Sequence, residues 1–348
     1  MKLLDNPFKG REKVCSGFPY PSTDAERVSA LLGMCPVAKE TPLVDVPKAA
    51  PVGALWVKDE RTRMGLGSFK ALGAAYVIAR HAWDAGEGDP GAESLVGRTY
   101  VTASAGNHGM SVAAGARVFG AASVVYIAET VPESFAQRLA DRGATVVREG
   151  VDYAASMASA AKAAEENGWI LLSDSSWEGY ADLPHILMEG YLQMAAEAVA
   201  QCPEVPTHVM LQAGVGGLAG AVAAYVRKVW GNGPKIIVVE PTAAPALQAS
   251  IEAGEAVMAD GPDSIMGRLD CKEPSLIALN GLARDADCFL TLSDEAVLAC
   301  LPTMATMGIE TTASGGAGIA AVLDTAARAA LGLDETSKVL CFLSEVPE

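Results

Sequence analysis

The chain has 348 residues, 50% hydrophobic and 20% charged, so it is long enough for roughly two folded domains and too apolar to be disordered. Lys and Arg number 26 against 42 Asp and Glu, and the net charge of -16 argues against nucleic acid and membrane surfaces as partners. Seven cysteines without a CxxC pair, and a charged N-terminus without an apolar core, predict reduced thiols in a cytoplasmic protein.

Short apolar runs alternate with Ala-rich helical stretches along most of the chain. Strands are predicted at residues 54–57, 99–102, 122–127, 145–147, 169–172, 208–211, 235–240, 289–292 and 339–342. Helices are predicted between them, among others at 69–82, 152–166 and 219–229. Strands that alternate with helices form parallel sheets, so the pattern predicts an α/β fold. Residues 258–275 lack clear periodicity and are predicted to form a long functional loop.

The first of three segments with candidate catalytic or binding residues covers 65–73. It contains Lys70 at a predicted helix start among small and apolar residues. Burial and the positive end of a helix dipole both lower the pKa of an amine. A lysine with a lowered pKa can form a Schiff base. A lysine considered in isolation is more often a solvated surface residue, so this segment alone decides nothing.

The second segment, residues 102–109, follows a predicted strand and opens a predicted helix. Its backbone N–H groups converge at Ser104, Ala105 and Gly106, a geometry that binds a carboxylate or a phosphate. Asn107 can donate a hydrogen bond to a ring hydroxyl. An ordinary helix-capping turn explains the same residues.

The third segment, residues 212–220, is a predicted phosphate cradle between a strand and a helix. Glycine lets the backbone approach an anion that faces the positive end of the helix dipole. Gly214, Gly216 and Ala219 also fit the dinucleotide-binding pattern, with Glu240 at a plausible distance for a ribose contact. On this segment alone, an NAD(P)-binding oxidoreductase stays open.

In this order, the three segments resemble the fold type II pyridoxal 5'-phosphate (PLP) enzymes, the tryptophan synthase β-like family. Within it, residues 65–73, 212–216, 174–180 and 264–274 are most similar to the diaminopropionate ammonia-lyases. The resemblance implies a two-domain α/β enzyme that binds PLP between its domains and forms a homodimer. The implied large PLP-binding domain comprises 1–97 and 190–348, and the inserted small domain comprises 98–189.

Site roles follow from the resemblance position by position. Lys70 matches the Schiff-base lysine, and Asn107 matches the residue that contacts the 3-hydroxyl of PLP. Asp174 matches an acidic residue near the substrate, and Ser344 matches the Ser or Thr that meets the pyridine nitrogen. The implied phosphate loop consists of Gly214, Val215, Gly216, Gly217 and Leu218.

Two departures from the family pattern bear on the substrate. Ala105 replaces the Asp that acts on the D-substrate in that family, which leaves Lys70 as the base for an L-substrate. Arg268 and Lys272 stand where the family has small residues. They are either a solvated pair on a mobile loop or a binding site for a second anionic group of the substrate.

The expected reaction is α,β-elimination on a β-substituted amino acid, with Lys70 and Asp174 as catalytic residues and a 2-oxo acid and ammonia as products. Dehydration of serine, threonine or hydroxyaspartate, racemisation, β-replacement and a lyase for acidic amino acids remain alternatives on the same fold. A non-catalytic PLP binder is a further one. No metal site is predicted, because the four histidines lack ligand spacing.

Overall fold

A computed structural model describes residues 1–11 and 14–347. These residues form strands and α-helices in alternation through most of the chain. The strands are β1 (Lys2–Asp5), β2 (Leu43–Asp45), β3 (Ala54–Asp59), β4 (Thr99–Ala103), β5 (Ala122–Ile127), β6 (Thr145–Arg148), β7 (Ile170–Leu171), β8 (His208–Gln212), β9 (Lys235–Pro241), β10 (Cys288–Leu292) and β11 (Lys338–Leu343).

The helices precede, connect and follow these strands. They are α1 (Ala25–Leu32), α2 (Lys70–Ala85), α3 (Asn107–Val118), α4 (Glu133–Ala140), α5 (Tyr153–Asn167), α6 (Asp182–Gly190), α7 (Leu192–Gln201), α8 (Gly217–Trp230), α9 (Ala246–Ala253), α10 (Leu276–Asp285), α11 (Asp294–Thr306), α12 (Ala313–Leu323) and α13 (Thr325–Leu331), and a short 3₁₀ helix covers Glu60–Gly65. None of the described helices is both long enough and apolar enough to cross a membrane.

The larger sheet has seven strands in the order β1-β10-β9-β8-β11-β3-β2. Its five inner strands are parallel, and the two edge strands β1 and β2 pair antiparallel with their neighbours. The inner strands are almost entirely buried, as expected for a parallel sheet with helices on both faces. Their carboxyl ends lie along one edge, where an α/β sheet binds its ligands.

The smaller sheet has four parallel strands in the order β6-β5-β4-β7, all drawn from residues 99–171. Helix α5 packs against β4 and β5, and α3 packs against β4 and β5 while also contacting α2 of the larger sheet. The alanine-rich faces of these helices allow close approach, with Ala113 of α3 and Ala160 of α5 fully buried. Helix α3 therefore connects the two sheets.

The predicted α/β fold with parallel sheets is confirmed. Each of the nine predicted strands begins and ends within two residues of an observed one, and no strand or helix occurs between Ala253 and Leu276. The antiparallel edge strands β1 and β2 were not predicted. Each has four residues or fewer, so neither carries a periodic pattern of its own.

Candidate active site

Lys70 is the first residue of α2, and its Nζ forms an ion pair with the carboxylate of Asp174. Asp174 follows β7 of the smaller sheet, so the pair joins residues that lie 104 positions apart. The side chains are 22% and 17% exposed, which leaves the pair open to a small molecule. The structure thus brings together the two residues predicted to be catalytic.

Each member of this pair keeps the other one charged. Burial lowers the pKa of Lys70, but the charge of Asp174 outweighs it and holds this pKa well above its usual value. Burial raises the pKa of Asp174, but the charge of Lys70 outweighs it and holds this pKa well below its usual value. The predicted low pKa of Lys70 is therefore wrong for the protein alone, because a carboxylate faces the amine.

The N-terminus of α8 lies beside this pair. Gly216 precedes the helix with φ at 98°, a conformation that glycine adopts without strain. A Cβ on Gly217 would lie 3.4 Å from the ring of Tyr191 and 4.0 Å from the carbonyl oxygen of Asp174. The N–H groups of the first turn have no acceptor within the helix and carry its positive dipole end. Residues 214–218 therefore form a cradle for an anion next to Lys70.

Tyr191 closes this cradle from the side of α6. Its phenol is buried, and within the described part of the chain its oxygen has no hydrogen-bond partner. Burial raises the pKa of Tyr191, so the hydroxyl stays protonated and can donate. A buried, unpaired donor beside an amine and a helix N-terminus fits an anionic cofactor such as PLP.

Gly214 packs against the loop at 258–275. A Cβ there would lie 2.9 Å from Cys271 Sγ and 3.0 Å from the carbonyl oxygen of Arg268. The loop therefore closes one side of the anion cradle at 214–218. Burial raises the pKa of the Cys271 thiol to about 11, so this sulfur is uncharged at neutral pH. The segment at 258–275 has no strand or helix, as predicted, and its function stays a prediction.

Asn107 begins α3, and its Nδ2 donates to Oε2 of Glu345 at 2.6 Å. The preceding turn is closed by a hydrogen bond of 3.3 Å from the Gly106 N–H to Ser104 Oγ. Ala105 packs against the apolar cluster between α3 and β5. Asn107 thus faces a carboxylate contributed by the larger sheet.

Glu345 was not singled out from the sequence. It is 3% exposed and accepts hydrogen bonds from Asn107 and from the hydroxyl of Thr312, the capping residue of α12. Oε2 also lies 3.0 Å from Nε of Arg268. Its position just beyond β11, at the carboxyl edge of the sheet, was a signal that could have revealed it.

The three remaining predicted residues have distinct surroundings. Ser344 is buried, and its carbonyl oxygen accepts from the Phe69 N–H at 3.1 Å, one residue before Lys70. Arg268 is engaged by Glu345, and its role with a second substrate anion stays a prediction. Lys272 donates to Asp270, to the carbonyl of Ala243 and to that of Pro262, at 2.6, 2.9 and 2.8 Å. An ammonium has three donors, so this arrangement argues against Lys272 as a substrate ligand.

The position of the Glu240 side chain argues against a dinucleotide site. Its carboxylate is buried and accepts from the N–H groups of Leu247 and Gln248 at 2.7 and 2.8 Å. Burial raises the pKa of Glu240 to about 8 although both N–H groups favour the charged form. The side chain that would meet a ribose instead caps α9. Among the described residues, no group of His, Cys, Asp and Glu could hold a metal ion.

Comparison with known proteins agrees with this site. Residues 35–345 match the family model described as pyridoxal-phosphate dependent enzyme. Diaminopropionate ammonia-lyase of Salmonella typhimurium is 35% identical over 268 residues, 70% of this chain and 65% of that enzyme. The Escherichia coli enzyme is 33% identical over 272 residues, 74% of this chain and 68% of that one. The match thus spans less than two thirds of the Salmonella protein.

A solved structure extends the comparison over the whole fold. Diaminopropionate ammonia-lyase from Escherichia coli, in complex with an aminoacrylate-PLP azomethine reaction intermediate, superposes with a TM-score of 0.87 at 27% identity. The superposition covers 99% of this chain and 93% of that one. The chain belongs to the pyridoxal-phosphate dependent enzymes of fold type II. The predicted family, fold class and cofactor are confirmed.

Proposed function

We propose that this protein is an ammonia-lyase that catalyses α,β-elimination on a β-substituted L-amino acid and resembles diaminopropionate ammonia-lyase in its substrate. The observation that carries the proposal is the ion pair of Lys70 and Asp174 beside the N-terminus of α8. This arrangement combines a base, a carboxylate and an anion cradle in one site. The names of the relatives support the same reaction.

The residues around Lys70 fit PLP from end to end. Lys70 would bind its aldehyde carbon, and the cradle at 214–218 would hold its phosphate through backbone N–H groups. Asn107 would meet the 3-hydroxyl and Ser344 the pyridine nitrogen, as the family resemblance implies. When bound, PLP supplies an electron sink for the electrons left at the substrate α-carbon.

The protein groups then divide the proton transfers between them. Lys70 takes the α-proton as general base, a role that needs its neutral amine. Asp174 lies beside Lys70, so its carboxylate can bind the ammonium of a β-amino group before that group leaves as ammonia. The N–H groups at 104–106 would bind the substrate carboxylate. Ala105 offers no second base, which favours the L-isomer.

We extend the proposal to the organisation of the molecule. The division into a large domain (1–97 and 190–348) and a small domain (98–189) is supported by the two separate sheets. A cytoplasmic location is supported by seven free cysteines. A homodimer is supported by a cavity of about 460 Å³, lined by α1, α2 and α3, with the exposed apolar side chains of Met34, Val37 and Val118 around it.

Purified holoenzyme should be tested for 2-oxo acid release from L- and D-diaminopropionate, L-serine, L-threonine, hydroxyaspartate and cysteate. We expect L-diaminopropionate to be the fastest substrate and Lys70→Ala to abolish both turnover and the visible absorption of the bound cofactor. Lys162→Ala, a change of a 73% exposed lysine on α5, is the control and should match the parent. Faster turnover of a hydroxyamino acid, or of D-diaminopropionate, would refute the substrate assignment.

A further inference from the structure

The carboxylate of Glu345 is the point where four segments of the site meet. Its backbone pairs with Ser68, two residues before Lys70, and the neighbouring Val346 N–H donates to the Gly67 carbonyl at 2.9 Å. Its side chain contacts Asn107 and Thr312, which begin or cap two different helices. The loop at 258–275 contributes the fourth contact, the guanidinium described above.

The contact with Asn107 fixes which way the amide faces. A carboxylate can only accept, so the amide atom 2.6 Å from Glu345 is the nitrogen. That nitrogen has two N–H donors, and one of them is used by Glu345. The other one remains for a ligand oxygen in the site. Without Glu345, the amide of Asn107 is free to rotate by 180° and to present its oxygen instead.

Neighbouring groups offset the cost of burying the charge of Glu345. A carboxylate that is 3% exposed costs free energy unless a cation and hydrogen bonds offset the loss of water. The Nε of Arg268 at 3.0 Å supplies the cation, and the Thr312 hydroxyl supplies a hydrogen bond. A carboxylate can therefore remain ionised next to an anionic cofactor.

We propose that Glu345 is a positioning residue that orients Asn107, so that one N–H of its amide points at the 3-oxygen of the bound cofactor. Arg268 offsets the charge of Glu345 and is held in place by it. This inference rests on the PLP site of the proposed function, and it goes beyond that function by assigning a role to the residue after Ser344.

Two variants distinguish the effect of the side-chain length of Glu345 from the effect of its charge. Glu345→Gln keeps an acceptor for Asn107 but removes the charge, whereas Glu345→Asp keeps the charge but is one methylene shorter. Loss of a charge-assisted hydrogen bond is worth about tenfold or more in a binding constant. We expect Asp to weaken PLP binding about tenfold and shift the visible absorption of the bound cofactor, and Gln to stay within about threefold of the parent.

The measurement is a titration of the apoprotein with PLP, followed by absorbance. The apoprotein is prepared by removing PLP from the holoenzyme or by refolding, and kcat and KM are secondary readouts. Glu310→Gln is the matched control, because it removes an exposed carboxylate two residues from Thr312. An Asp variant that matches the parent in affinity and spectrum, or a Gln variant as weak as Asp, would overturn the proposal. The titration measures PLP binding and needs no turnover. If the protein binds PLP but eliminates no amino acid, the proposed reaction is refuted, whereas the proposed role of Glu345 is still tested by the titration.

Discussion

At Lys70, one neighbouring carboxylate decides the charge of the amine. A lysine at a helix N-terminus among apolar residues is expected to lose its proton easily. Asp174 reverses this, because a nearby opposite charge outweighs burial. The amine of Lys70, which is proposed to bind PLP, is therefore kept protonated in the protein alone.

We expect Asp174→Asn to have opposite effects on cofactor uptake and on turnover. Without the carboxylate, the pKa of Lys70 falls, so apoprotein should take up PLP half-maximally at a lower pH than the parent. Turnover of L-diaminopropionate should fall about 10²- to 10⁴-fold, the range for the loss of a group that handles a reacting proton or ammonium. Between about pH 6 and about pH 9, stopped-flow absorbance measures the uptake of PLP, and 2-oxo acid assays measure turnover. An unchanged pH dependence of uptake would contradict the role of Asp174.

At the level of elements, the 3₁₀ helix before Lys70 is anchored by a buried charge cluster. Arg63 lies 2.7 Å from Glu60 and 2.6 Å from Glu197 of α7, which also binds Lys58 of β3 at 2.7 Å. All four side chains are nearly inaccessible to solvent. Just beyond the cluster, the backbone turns through Gly65, with φ at 69°, before it reaches Lys70. The cluster thus fixes where the segment carrying Lys70 begins.

Glu197→Ala should lower the free energy of unfolding by about 3 to 5 kcal/mol, because it leaves the buried Lys58 without a carboxylate partner and Arg63 with Glu60 alone. Glu204→Ala, which removes a 51% exposed partner of Lys338, should cost less than about 1 kcal/mol. Urea unfolding of both variants and the parent provides the measurement. Equal effects of the two changes would show that the cluster does not stabilise the fold.

The carboxylate of Glu197 also predicts that the stability of the fold depends on pH. Burial raises the pKa of Glu197, but Arg63 and Lys58 outweigh it and hold the value at about 2, against 4.5 for the ordinary side chain. A carboxyl with a lowered pKa in the folded state stabilises it above its unfolded pKa. That part of the stability of the parent should be lost as the pH falls from 4.5 toward 2, whereas Glu197→Ala should lack it.

Local patterns in the sequence predicted most elements but only part of the site. Strands such as β5 and β9 are long apolar runs bounded by turns, so their limits follow from the residues themselves. The contact of Glu345 with Asn107 joins residues 238 positions apart, and no spacing rule connects them. The pKa of Lys70 was predicted in the wrong direction for the same reason. Its partner Asp174 reaches it only through the packing of two sheets.

At the scale of the whole molecule, the net charge of -16 describes the surface rather than the site. The site collects Lys70, Arg268 and the positive end of α8 in one place, so an acidic protein can bind an anionic cofactor. The cavity of about 460 Å³ beside α1, α2 and α3 is mainly apolar. The molecule thus combines a site suited to a small anion with a separate apolar cavity, which is the proposed dimer contact.

The parent should behave in solution as a dimer, with a mass twice that of one chain by light scattering. Val37→Asp places a charge in the apolar face and should yield monomers. Val205→Asp changes a valine of similar exposure, 47% against 54%, away from the cavity, and should remain dimeric. A monomeric parent would contradict the homodimer, and a dimeric Val37→Asp variant would place the interface elsewhere.

The pairing of Glu345 with Ser68 and Asn107 has a consequence for biosynthesis. Strand β11, which leads into Glu345, lies between β8 and β3 in the middle of the larger sheet. A nascent chain on the ribosome contains Lys70, Asn107 and the cradle long before this strand has emerged. Until then, the sheet has a gap at its centre and the Asn107 amide lacks its acceptor. A site in which Glu345 holds Asn107 can therefore be assembled only after β11 has been translated.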